Sequence, residues 1–286
     1  MRAKFCIWLL GWVGISSWGW AQLDLRMETP RVAYLQYSAI PFSISIKNIG
    51  GETVTLETVG GKPWLEMVVQ SRDGLVIRPE KPLSPPDKKL LAGESAVLPV
   101  DLSAHYLVRE PGGYQARASV RLGSGQSLMT EPLDFLVGRG EVIWSQSRQV
   151  GADRYEYSLQ KFYEDPNVGL YLRVEVPEKN IVYPCRRLGA YLPLTKPRAE
   201  FDRMNHLHLL CQTAVGMYRI IVVSEDGRTL REETRQDGPD RPRLVKNQNA
   251  EVSVEGGNIV LPSNLREKLS TLQSRIGSPT PPTQRN

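Results

Sequence analysis

The chain is short of the residues that most catalysis uses. Of its 286 residues, three are histidine (His105, His206, His208) and three are cysteine. No Gly-x-Ser-x-Gly elbow, phosphate loop, dinucleotide fingerprint or zinc-peptidase helix motif occurs. The nearest approach to a nucleophile motif, Gly123-Ser124-Gly125-Gln126-Ser127, has the wrong spacing and falls between two predicted strands. Glu164 and Asp165 are adjacent, whereas carboxylate pairs for glycoside cleavage come from separate strands, so they read as loop residues. These gaps argue for a non-enzyme with no cofactor. Beyond the N-terminus there is no apolar run long enough to cross a bilayer as a helix. An excess of charge of one sign is missing too. Without Arg2 and Lys4 the 36 Lys and Arg fall to 34 against 31 Asp and Glu, a net charge of +3 with both signs interspersed. That excludes an electrostatic case for nucleic acid. The tightest basic cluster, Arg186-Arg187, reads as a solvated strand end or turn.

What is present begins with a leader. Arg2 and Lys4 precede an apolar run from Phe5 towards Trp18, and Gly19-Trp20-Ala21 places small residues where a signal peptidase reads. Residues 1–21 therefore read as a secretory signal, with an uncleaved anchor as the alternative. Cys6 lies inside the apolar run, away from the cleavage point of a lipid anchor. Cleavage leaves 265 residues, long for one β-sandwich and comfortable for two. The 21 prolines and 24 glycines imply frequent turns and few long helices. Cys185 and Cys211 remain, and in an oxidising compartment they invite a disulfide. The alternative is two buried free thiols.

Alternation of apolar and polar residues runs through the chain. Phe42, Ile44 and Ile46 alternate with Ser43, Ser45 and Lys47, the pattern of a strand with one buried face. Asn48-Ile49-Gly50-Gly51 supplies a turn. Leu65, Met67 and Val69 make another run, and Leu83 to Lys89 reads as an exposed proline-rich loop. Pro111-Gly112-Gly113 leads into the clearest strand, with Tyr114, Ala116, Ala118, Val120 and Leu122 pointing in. Leu133, Phe135 and Val137 close the first half, and Gly138-Arg139-Gly140 reads as the boundary. The second half repeats the habit. Tyr155, Tyr157 and Leu159 alternate, as do Leu170, Leu172, Val174 and Val176. The nearly continuous apolar run Met217 to Val223 suits a strand buried on both faces. Glu225-Asp226-Gly227-Arg228 reads as a hairpin turn, and Val252 with Val254 as the end of the sheet.

The segments Asn48–Leu56, Leu91–Ser95, Pro111–Tyr114 and Leu133–Phe135 together resemble bacterial secreted immunoglobulin-like modules, including fibronectin type III-like and adhesion-type modules. The resemblance covers about residues 24–138. It implies a fold and leaves function open. The Cys…Trp…Cys core of the antibody branch is missing, which removes any inference to antibody-type binding. The expected architecture is all-β, with two tandem immunoglobulin-like β-sandwich domains over residues 22–138 and 139–260. A short amphipathic helix follows over 261–276, and residues 277–286 read as a disordered tail. Asn264 and Glu267 form a capping box, and Leu265, Leu269, Leu272 and Ile276 line one stripe for docking.

Candidate contact residues are few. Tyr171 alternates with Leu170 and Leu172 and shares a face with Arg173, so the two are read as a contact surface. His206 and His208 share one face of a strand, but two imidazoles without a fixed third ligand do not make a metal site. The reading that follows is an exported, non-catalytic protein of the cell envelope, structural or protein-binding, with a protein partner. A periplasmic assembly chaperone is the first alternative. Tandem immunoglobulin-like domains behind a signal are similar to pilus chaperones, although a convincing match to their basic cleft motif is lacking. A carbohydrate-binding module that stacks tyrosines on sugar rings is the second. N-terminal sequencing of the exported protein should begin at Gln22; an intact Met1 inside the cell would refute export with cleavage.

Overall fold

The computed structural model describes residues 23–260 apart from Ser124. The leader and the stripe Leu265, Leu269, Leu272 and Ile276 lie outside these residues. The described chain is all-β. Its only helical turns are two short 3-10 segments, Leu102–Ala104 and Pro177–Lys179, so no helix is long and apolar enough to cross a membrane.

In the first half, β1 (Leu23–Glu28), β3 (Pro41–Asn48) and β5 (Ser95–Asp101) form an antiparallel sheet in the order β1-β3-β5. A second sheet runs β2 (Ala33–Leu35), β7 (Leu133–Gly138), β6 (Gly112–Arg121), β4 (Leu65–Ser71) and a short edge strand, Val76–Ile77. β2 and β7 pair in parallel, with Val137 opposite Tyr34. The alternation seen in the sequence sets which residues meet. Phe42, Ile44 and Ile46 from one sheet face Met67, Val69, Tyr114, Ala116, Ala118, Val120 and Phe135 from the other in one core. Phe135 stacks on Tyr114 at 5.6 Å and meets Phe42 edge-on at the same distance. Each such side chain fully removed from water contributes about 1.5–3 kcal/mol. Leu83, expected in an exposed loop, is buried against this core, and Lys88–Leu90 pairs as a strand with Val54–Leu56.

The second half repeats two sheets about one core. β8 (Glu141–Val150), β9 (Asp153–Tyr163) and β10 (Val168–Val176) run antiparallel, and β11 (Arg186–Ala190) joins β10. The opposing sheet is β12 (Arg198–Phe201), β13 (Leu207–Ala214), β14 (Met217–Val223) and β15 (Thr229–Gln236), closed by Asn258–Ile259. The apolar run of β14 is buried on both faces for a visible reason. Ile221 and Val223 enter the core between the sheets, while Tyr218 and Ile220 are covered by Leu244 and Val254. Those two belong to a separate ribbon, Arg243–Lys246 with Val252–Glu255. Val252 and Val254 therefore do not end the main sheet, as expected, but lie across its back.

No ladder joins the halves among the described residues; one isolated bridge, Ser38 with Cys185, does. Gly138-Arg139-Gly140 passes between β7 and β8 without slack. A Cβ at Gly138 would stand 2.8 Å from Phe162 Cε2, and one at Gly140 would stand 2.8 Å from Gln160 Oε1 and 3.0 Å from Leu35 Cδ1. The connection needs glycine because it is pressed onto both halves.

The disulfide does not form: Cys185 and Cys211 are both free and buried. They sit in different apolar clusters, Cys185 with Leu35 and Tyr171 and Cys211 in the second-half core. Burial pushes each thiol up to about 12, leaving almost no thiolate at neutral pH. In the leader-free chain a thiol reagent at neutral pH should find neither cysteine while the protein is folded and both after denaturation. Loss of both thiols to a bridge, read by mass without reductant, would contradict this.

Candidate functional site

The most unusual chemistry lies between the halves and is built around Glu164. This residue follows β9 in the tight link to β10, where its N–H donates to Asn167 O at 2.7 Å. Its side chain is only 3% exposed. A lone carboxylate so placed would cost several kcal/mol. Its charge is answered from both sides. Arg187 on β11 donates Nε to Oε1 at 2.8 Å and Nη2 to Oε2 at 2.7 Å, a bidentate fork. Arg187 is placed there by register, since it stands opposite Tyr171 on β10. Tyr171 donates its hydroxyl to Glu164 Oε1. Arg31, from the link between β1 and β2 in the first half, donates Nη1 to Glu164 Oε1 at 2.5 Å and to Tyr171 Oη at 2.6 Å. Its guanidinium lies 4.8 Å from the centre of the Tyr34 ring.

Burial acts to raise the Glu164 pKa, but the hydrogen bonds from Arg187 and Tyr171 and the two guanidinium charges outweigh it. The carboxyl is held below its ordinary value of 4.5. Burial and the bond to Glu164 push the Tyr171 phenol the other way, upward. Gly169 makes room: a Cβ there would stand 2.5 Å from Glu164 Oε1 and 2.8 Å from Tyr171 Cε2. Beside the charges is an apolar cluster of Leu35, Tyr171 and Cys185, flanked by Tyr37 and Phe162. Cys185 N donates to Tyr37 O at 2.8 Å.

Next to this junction opens a cavity of about 340 Å³, lined by Leu35, Gln36, Tyr37, Arg139, Gly140, Gln160 and Arg173. Tyr37 has φ of 65°, a conformation that costs a non-glycine residue on the order of 1 kcal/mol or more. Two guanidiniums lie near its ring, Arg173 at 5.0 Å and Arg109 at 6.0 Å from the centroid. Arg173 is aimed by Glu175, whose Oε2 accepts from it at 2.6 and 3.0 Å. Arg139 is exposed and has no carboxylate within ion-pair distance among the described residues. The cavity offers Arg139 beside a rigid aromatic, with Arg173 already paired to Glu175 and the Gln36 and Gln160 amides each giving one N–H, to Arg109 O and Ser158 Oγ. That suits binding of carboxylate or other acceptor groups.

The sequence reading of Tyr171 and Arg173 as an exposed surface is half corrected. The two share a face, but that face turns towards the first half. Tyr171 is fully buried, and Arg173 lines the cavity. Arg187, read as solvated, and Glu164, read as a loop marker, are the centre of the junction. Arg31 was not singled out. It lies 133 residues from Glu164, and no spacing rule reaches that far. His206 and His208 do converge, as alternation suggests, though His206 precedes β13. Both rings reach Asp202 Oδ2, at 3.2 and 3.1 Å. They are half-buried partners of one carboxylate, and no group of three or more His, Cys, Asp or Glu that could hold a metal ion occurs among the described residues.

No protein-family model matches the chain, and no curated protein matches it. Among solved structures, the sporulation control protein Spo0M from Bacillus subtilis is 8% identical with a TM-score of 0.29, over 58% of this chain and 89% of its own. The E. coli chaperone DraB is 11% identical with a TM-score of 0.25, over 73% of this chain and 96% of its own. Overlaps this shallow constrain neither fold nor function.

Glu164→Gln should destabilise the protein by about 2–3 kcal/mol. That is below the ~3–5 typical when a buried pair loses one partner, because Arg187 is 40% exposed and recovers some hydration. The pH dependence has a definite sign. A carboxyl with a lowered folded pKa contributes fully above its ordinary 4.5 and loses that contribution as pH falls through the folded value. Thermal melts from pH 7 downward should fall more steeply in the parent protein than in Glu164→Gln, which keeps Asp202, Asp226 and Glu233 as other carboxyls with lowered values; identical profiles would refute the assignment.

Proposed function

We propose that this chain is an exported, non-catalytic protein of the cell envelope, made of two immunoglobulin-like sandwiches, that works by binding another protein. The division into 22–138 and 139–260 follows the sequence boundary and agrees with strand pairing that stays within each half. The observation that carries the binding reading is the junction cavity. It is open to solvent, sits on a connection fixed by glycine contacts and a buried ion cluster, and displays Arg139, Arg173, Gln36 and Gln160 around Tyr37. Donors held in place before binding lose little freedom on binding, which favours recognition of a partner's acidic loop. The sugar-binding alternative is weakened, because Tyr155, Tyr157, Tyr171 and Tyr218 are buried and cannot stack on a sugar ring, which leaves it Tyr163 as an exposed ring. The chaperone alternative differs only in what the partner does alone, and a partner that aggregates without this chain would favour it.

The test is cross-linking in the intact envelope followed by partner identification, with the parent protein and Arg139→Glu compared. The charge reversal is at an exposed site and should leave the melting temperature unchanged while reducing the specific cross-link by at least about tenfold. Equal cross-linking by both would remove the cavity from the interface.

A further inference from the structure

Every sheet among the described residues has open edges, and most are blunted. β2 has three residues and β12 four, while Val76–Ile77, Ile181–Val182 and Asn258–Ile259 have two each. β1 carries Asp24, Arg26 and Glu28 in alternation, β5 contains Pro99, and β11 opens on Arg186 and Arg187. Shortness, charge, proline, bulges and inward-pointing charges are the standard protections of an edge against pairing with another chain. β8 is the longest open edge among the described residues, protected only by a bulge at its start and by one inward charge. It is ten residues long and, among the described residues, pairs with β9 on one side only. A register shift between Val142 and Trp144 interrupts its start, which leaves Trp144–Val150 as a regular edge. That stretch spans about 24 Å and contains no proline and no lysine. Its one charge, Arg148, is turned inward, with Nε donating to Asn205 Oδ1 at 2.9 Å and the guanidinium 5.4 Å from the Phe201 ring. Ser145, Gln146, Ser147 and Gln149 are exposed and neutral.

We propose that β8 is a self-association edge: two copies of this chain pair β8 to β8, antiparallel about a two-fold axis, and join two five-stranded sheets into one. The occupant is a second copy because an antiparallel edge is complementary to itself, and because this edge offers nothing that its own copy would repel. The axis must stand normal to the sheet, so residues of equal parity oppose one another. Centred on Ser145, Gln146 or Ser147, such a pairing sets Arg148 against Val142, Trp144 or Gln146 of the other copy, never against a charge. The only forbidden register is the one centred on Arg148 itself. The proposal does not depend on the cavity or on its partner.

The test uses the leader-free chain in sedimentation equilibrium over about 1 to 100 µM, the range in which a modest edge pairing is read. The parent protein should be dimeric at the upper end. Ser145→Lys/Ser147→Lys and Ser145→Glu/Ser147→Glu place like charges against each other in all three registers, and each should weaken the dimer by at least about tenfold. Both positions are exposed, so melting temperatures should stay at the parent value. Mixing the two double variants should restore a dimer of one copy of each. A parent protein that stays monomeric throughout, or double variants that dimerise like the parent, would overturn the proposal and leave the envelope-binding reading untouched.

Discussion

A carboxylate taken out of water must have its charge answered on the spot, and at Glu164 answering it takes both halves of the molecule. Arg187 and Tyr171 belong to the same sheet as the turn that carries Glu164, so the second half alone can satisfy most of its lone pairs. Arg31 comes from the first half and supplies the remaining donor. The ion cluster is thus a directional contact that exists in one relative placement of the halves. The apolar cluster of Leu35, Tyr171 and Cys185 beside it adds burial without direction.

That constraint organises the neighbouring surface. Tyr171 holds Glu164 on one side of β10, and two residues along the same face Arg173 reaches under Tyr37. The strained backbone of Tyr37 is tolerated because its carbonyl accepts from Cys185 and its ring lies near two guanidiniums. Gly138 and Gly140 let the connection lie flat against Phe162 and Gln160. Arg139 between them is left outward, the one cation of the cavity with no internal partner among the described residues. The fixed junction and the cavity adjoin, and Leu35, Tyr37 and Gly140 take part in both.

The core packing of each half follows from alternation, and alternation is visible in one dimension. Phe42, Ile44 and Ile46, or Tyr114 to Val120, could be assigned to an inner face because strand geometry repeats every two residues. The failures share a cause. The face of Tyr171 alternates away from Leu170 and Leu172, the local pattern of an exposed side chain; nothing local says that a second body covers that face. Glu164 beside Asp165 and Pro166 has the composition of a solvated turn, and its burial depends on Arg31. Val252 and Val254 have the right period for a strand, but the period does not name the sheet a strand joins. Cys185 and Cys211 invited a bridge by number and compartment, and they occupy separate clusters.

Residue pattern along the chain is enough to make the described part all-β, to place most of its strands and turns, and to say which residues of each half face its core. These are consequences of local geometry: period-two hydrophobicity, glycine at positive φ, and proline against helix. Tertiary structure alone decided that Glu164, Arg187, Tyr171 and Arg31 meet, that the two thiols stay apart, and that β8 is the edge left long and neutral. The physical reason is that charge pairing, cysteine proximity and edge exposure are set by distances between segments far apart in the chain, and no periodicity encodes such distances.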